Sequence, residues 1–145
     1  MKIDIDPEDS SVSILVIEDG ENSREVTIEM VRLSFPLAHI HDPRNFFIED
    51  IEKTIIESAY TLIIVDYSLA RWEPHPKFGV WGENIVSFTK KHSRDSYILG
   101  ITDDEEENQT MIAKGASRSV IKRHFLYEKL KPDLTLAMRS VTTAP

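Results

Sequence analysis

The stretch Thr61-Leu62-Ile63-Ile64-Val65 restricts the fold more than any other part of the chain. It is apolar and rich in β-branched residues without any polar alternation, the pattern of a strand buried on both faces. Such strands belong to parallel sheets covered by helices on each side. The run ends in Asp66, and open α/β sheets bind ligands at the carboxyl ends of their strands. A carboxylate contributes nothing to a strand ladder, so Asp66 is the leading candidate for a reactive group.

The rest of the chain alternates strand and helix signals around this centre. Val12 to Ile17 is an apolar run that leads into Glu18-Asp19-Gly20. Asn22 or Ser23 is suited to cap a helix in which Val26, Met30 and Leu33 form an inward stripe, ended by Pro36. Leu37 to His41 is a weaker strand candidate. Phe47, Ile51 and Ile55 recur every four residues, predicting a helix from Asn45 to about Tyr60. After Asp66 comes a long connection, Tyr67 to Gly82, with Trp72, Phe78 and Trp81 expected to pack on their own helix. Glu83 to His92 is a helix with Ile85 and Phe88 inward. Tyr97 to Ile101 is a strand that stops at Thr102. Asp103 to Asn108 suits the acidic first turn of a helix ending near Lys114-Gly115, and Ser119 to Ile121 is a strand running into Lys122. A last helix is predicted from Pro132.

Strands that alternate with helices pair in parallel through right-handed crossovers. The expected fold is therefore α/β, a doubly wound five-stranded parallel sheet of the flavodoxin-like sort with strand order 2-1-3-4-5. Residues 12–141 form one domain, 1–11 a flexible lead-in and 142–145 a tail.

Composition removes several functions. The net charge of -8 opposes contact with nucleic acid. The basic residues Lys114, Arg118, Lys122, Arg123, Lys129 and Lys131 are expected on a solvated face. With no cysteine there is neither a disulfide nor a thiolate metal site. The opening residues are acidic, unlike a secretory signal, and the apolar runs fall short of a membrane span. A cytoplasmic protein with no membrane contact is expected. His39 and His41 lie two apart, but without a third ligand they are expected to be edge-strand histidines.

In a parallel sheet, the residues that end the buried runs fall on one edge: Glu18 and Asp19, Asp66, Thr102 and Lys122. Three carboxylates within about 4 Å of one another repel by roughly 4 kcal/mol per pair at an effective dielectric near 20. Such a cluster holds protons or a cation. Hard oxygen donors with room for water suit Mg²⁺, which makes the acid pair a metal seat and Asp66 a nucleophile toward phosphorus. Lys122 adds a positive charge, and Thr102 a hydrogen bond to a phosphoryl oxygen.

These residues resemble the receiver domain of bacterial two-component response regulators. The resemblance is carried by Ile14-Leu15-Val16-Ile17-Glu18-Asp19, Ile64-Val65-Asp66-Tyr67-Ser68-Leu69, Gly100-Ile101-Thr102, Ala113-Lys114-Gly115-Ala116 and Val120-Ile121-Lys122. It implies that Asp66 accepts a phosphoryl group from the phosphohistidine of a sensor histidine kinase or phosphotransfer protein. It further implies that Glu18, Asp19, Asp66 and the Ser68 backbone carbonyl hold Mg²⁺, and that Thr102 and Lys122 sense the phosphoryl group. Phosphorylation then shifts a two-state equilibrium at a face formed by the fourth helix, fifth strand and fifth helix, read by a downstream protein or output domain. Such a protein catalyses only its own phosphorylation and dephosphorylation. The chain is expected to be either a stand-alone regulator or the amino-terminal part of a longer one.

The sequence departs from the family pattern in its Tyr67 to Gly82 loop, which is longer than usual and has no proline after Leu69, and at three further positions. Ser119 replaces the switch aromatic, Arg123 replaces the proline after the lysine, and Asp103 follows Thr102 where a small residue is common. These departures motivate the alternative of a receiver-shaped interaction module that is poorly or not phosphorylated. A magnesium-dependent phosphatase with an aspartyl nucleophile is disfavoured, because its second acid would stand where this chain has Ser68.

Overall fold

A computed structural model describes residues 10–18, 20–43, 48–67, 69, 82–92, 95–102 and 104–121 of the chain. Among these residues, five strands, β1 (Ser13–Ile17), β2 (His39–His41), β3 (Leu62–Asp66), β4 (Tyr97–Thr102) and β5 (Arg118–Ile121), alternate with four helices, α1 (Glu21–Ser34), α2 (Ile48–Glu57), α3 (Gly82–His92) and α4 (Glu105–Lys114). All strand pairs are parallel, in the order β2-β1-β3-β4-β5. This is the doubly wound arrangement expected from the sequence. The lead-in 1–9, the Trp72, Phe78 and Trp81 segment, the helix predicted from Pro132 and the 142–145 tail lie outside the described residues.

Period-two alternation along each strand sorts the core into two layers. Ile14 and Val16, Leu62 and Ile64, and Leu99 and Ile101 pack beneath Ile28 and Val31 of α1 and Phe35 at its C-cap. Leu15 and Ile17, Ile63 and Val65, and Ile98 pack with Ile51 and Ile55 of α2, Ile85 and Val86 of α3 and Met111 of α4. β3 is buried at all five positions, as its unbroken apolar run requires.

Several local readings are corrected. The helix after β1 begins at Glu21 with Gly20 at the N-cap, so Asn22 and Ser23 lie inside its first turn and do not cap it. Its inward face is Arg24, Thr27, Ile28, Val31 and Phe35, whereas Leu33 is 70% exposed. Leu33 has helical spacing too, but the sheet selects the face that carries Arg24, Thr27 and Val31. β2 is shorter than predicted. His39 and His41 on it are exposed, and His41 Nδ1 lies 2.8 Å from the Tyr60 hydroxyl. This is the edge-strand role expected of the two histidines.

Candidate functional site

The strand register brings the candidate residues to one edge. Ile14 pairs with Leu62 and Val16 with Ile64, so Glu18 continues the β1 row beside Asp66 on β3, on the face that carries α1. Both acids are buried, each only 2% exposed. A charged carboxylate in that setting needs hydrogen bonds or a counter-charge to offset lost hydration. The Gly20 N–H donates to Glu18 Oε1 over 3.2 Å. From the first turn of α1, the buried Arg24 guanidinium donates to the Glu18 carbonyl over 3.4 Å. Sequence reading missed Arg24; the signal was a charged residue in phase with Thr27, Ile28 and Val31.

Thr102 ends β4 one residue beyond Ile101, the partner of Asp66, and is 1% exposed. By alternation it belongs to the opposite row, with Ile98 and Gly100, toward α4. Its hydroxyl donates to Glu107 Oε1 over 2.9 Å. Glu107 is the third residue of α4, and its N–H donates to the Asp104 side chain at the N-cap over 3.1 Å.

Tyr67, directly after Asp66, donates its hydroxyl to Glu83 Oε1 at the start of α3 over 3.0 Å. Burial, then the hydrogen bond and charge of Glu83, then the charges of Glu107 and Asp104 push this phenol up to about 12. Ser119 pairs with Gly100, and its Oγ sits so close that a Cβ on Gly100 would lie 2.8 Å from it. A small hydroxyl occupies the place where the resemblance implies a ring.

Glu18, Asp66 and Thr102 thus stand on three adjacent strands at one edge. Asp19, Ser68, Asp103, Lys122 and Arg123 lie outside the described residues. No group of three or more His, Cys, Asp or Glu side chains that could hold a metal occurs among the described residues. The described donors are two buried carboxylates at neighbouring strand ends. That set suits a hard divalent cation that keeps water and takes few carboxylates, as Mg²⁺ does.

Solved structures share this architecture over nearly its whole length. A response regulator from Hahella chejuensis superposes with a TM-score of 0.70 at 18% identity, covering 93% of this chain and 100% of that one. The chain has the fold of a response-regulator receiver domain. The receiver domain of a DNA-binding response regulator from Colwellia psychrerythraea matches with a TM-score of 0.67 at 17% identity over 89% of this chain and 99% of that one. A response regulator from Burkholderia pseudomallei, with a phosphorylated aspartic acid and a calcium ion, matches with a TM-score of 0.63 at 17% identity, over 90% of this chain and 71% of that one. No protein-family model and no curated protein matches the sequence. In this receiver fold, no helix among the described residues is long and apolar enough to cross a membrane.

Proposed function

We propose that this chain is a phosphorylatable receiver in which Asp66 accepts a phosphoryl group from the phosphohistidine of a sensor kinase or phosphotransfer protein. The observation that carries the reading is that Glu18 and Asp66, both buried, directly follow the paired residues Ile17 and Val65 at the carboxyl edge of the central strands. Two buried carboxylates at the carboxyl edge of a parallel sheet stand where folds of this kind bind ligands. A structure of similar fold carries a phosphorylated aspartic acid and a calcium ion, which supports the same use here.

Glu18, Asp19, Asp66 and the Ser68 carbonyl are the residues that would hold Mg²⁺. Bound there, the ion would offset negative charge on the carboxylate and on the incoming phosphoryl group. An Asp66 oxygen forms the bond to phosphorus as the phosphorus–nitrogen bond of the donor imidazole breaks, the nitrogen keeping the electron pair. Thr102 and Lys122 donate to the phosphoryl oxygens. The domain spanning 12–141 then presents its α4 and β5 side to a downstream protein or output domain, in the cytoplasm and without direct contact with nucleic acid. Turnover is confined to its own phosphorylation and dephosphorylation.

A second reading, a receiver-shaped interaction module that takes little or no phosphate, is favoured by two observations. Ser119 offers no ring to rotate, and Thr102 is already engaged by Glu107. Treatment with Mg²⁺ and a small phosphodonor separates the two readings. The first expects a mass gain that is lost in Asp66→Asn and kept in Asp95→Asn, Asp95 being exposed and far from the edge in sequence. An unmodified parent protein would leave the second.

A further inference from the structure

The contact between Thr102 and Glu107 has a chemical consequence. A threonine hydroxyl has one proton to donate, and here it goes to a carboxylate oxygen at 2.9 Å. Hydrogen bonds to an ionised acceptor are roughly twice as strong as neutral ones. Thr102 is 1% exposed at the end of β4, where a β-branched side chain has few rotamers open to it. A phosphoryl oxygen on Asp66 and the Glu107 carboxylate would therefore compete for the same proton.

Glu107 also has somewhere else to go. Asp104 and Glu107 stand at the N-cap and N3 of α4, the spacing of a capping box. In that motif the N3 carboxylate reaches back to the N–H of the cap residue while the cap side chain accepts from the N3 N–H. The second half exists here, with the Glu107 N–H donating to Asp104 Oδ1 at 3.1 Å. The Glu107 side chain can thus serve either Thr102 or the first turn of its own helix.

We propose that Glu107 is a positioning residue: its carboxylate holds the Thr102 hydroxyl toward α4 and gives it up when a phosphoryl group forms on Asp66, handing the signal to the start of α4. The proposal rests on the phosphoacceptor reading of Asp66 and adds a restraint on it. Glu107→Gln keeps the shape but removes the charge, so the hydroxyl is released more easily.

The test is a cycle of four proteins, the parent, Glu107→Gln, Thr102→Val and the double variant, titrated with beryllofluoride and Mg²⁺ and read by fluorine NMR. Glu107→Gln is expected to tighten beryllofluoride binding by about tenfold when Thr102 is present, the gain from replacing a competing charge-assisted hydrogen bond by a weaker neutral one, and to change it less than about twofold in the Thr102→Val background. Equal tightening in both backgrounds would reduce Glu107 to a bulk charge and overturn the proposal, as would no tightening at all. Urea unfolding of the same four proteins reads the contact without any phosphoryl mimic. Glu107→Gln should lower the midpoint more when Thr102 is present than in the Thr102→Val background, because its charge also serves the first turn of α4, and a lowering of equal size in both would also overturn the proposal. Silence toward beryllofluoride in all four, with the unfolding coupling intact, would overturn the phosphoacceptor reading and with it the competition, while leaving the contact itself established.

Discussion

Gly82 occupies a position where any side chain would overlap the carbonyl of Asp66; a Cβ there would also lie 2.7 Å from the Tyr67 Cα. Its N–H donates to the Tyr67 carbonyl over 2.8 Å. The start of α3 is thereby packed directly on the peptide that follows the candidate nucleophile. Gly82→Ala should destabilise the protein by about 1–3 kcal/mol through overpacking against backbone that cannot yield, measured by urea unfolding. It should also weaken any Mg²⁺ response, since relief of the overlap displaces Asp66. A variant as stable as the parent would show that α3 shifts freely away from β3.

Mg²⁺ should stabilise the fold by linkage if it binds between Glu18 and Asp66. At a free concentration about one hundred times its Kd, the gain is about 2.7 kcal/mol, visible as a higher unfolding midpoint. Glu18→Gln should abolish the gain and Asp95→Asn should keep it. A rise of equal size in Glu18→Gln would place the ion elsewhere.

The two ends of α4 make separate predictions. Asp104→Ala removes the acceptor for the Glu107 N–H and should cost about 1 kcal/mol. At the other end Gly115 has φ 118°, and a Cβ would lie 2.9 Å from Lys90 Cγ on α3. Gly115→Ala should cost about 1–2 kcal/mol, because the backbone there disfavours any side chain. Thermal or urea unfolding checks both, and Gly115→Asn should be milder than Gly115→Ala.

Alkaline titration should find a late phenol. Tyr67 is held up to about 12 by burial first, then by Glu83, against an ordinary value of 10.0. The folded chain keeps a proton that the unfolded chain releases. The stabilising contribution is thus complete below pH 10 and is lost as pH rises through about 12. Burial also raises Tyr60, so ultraviolet titration should show more than one late-ionising tyrosine, of which one is missing from Tyr67→Phe and moved toward the ordinary value in Glu83→Gln. An unchanged curve in Glu83→Gln would deny that carboxylate its role.

What the sequence by itself determined was the architecture and the edge. A run as apolar as Leu62 to Val65 has few uses other than a strand covered on both sides, and helical spacing through Ile51, Ile55 and Ile85 supplied the covers. Parallel pairing then put Glu18, Asp66 and Thr102 at one end of the sheet before any coordinates were known. Leu33 on the helix after β1 has the spacing of a buried residue and is exposed, because two stripes share the same period and only contact with the sheet distinguishes them. Tertiary structure alone decided which partner each polar group meets. That the Thr102 hydroxyl goes to Glu107, that Arg24 comes to the Glu18 carbonyl and that Gly82 seats on Asp66 all depend on how separate elements pack. Periodicity reports which face of an element is buried, whereas hydrogen-bond partners are set by distances of a few ångströms between elements that are remote or out of phase along the chain.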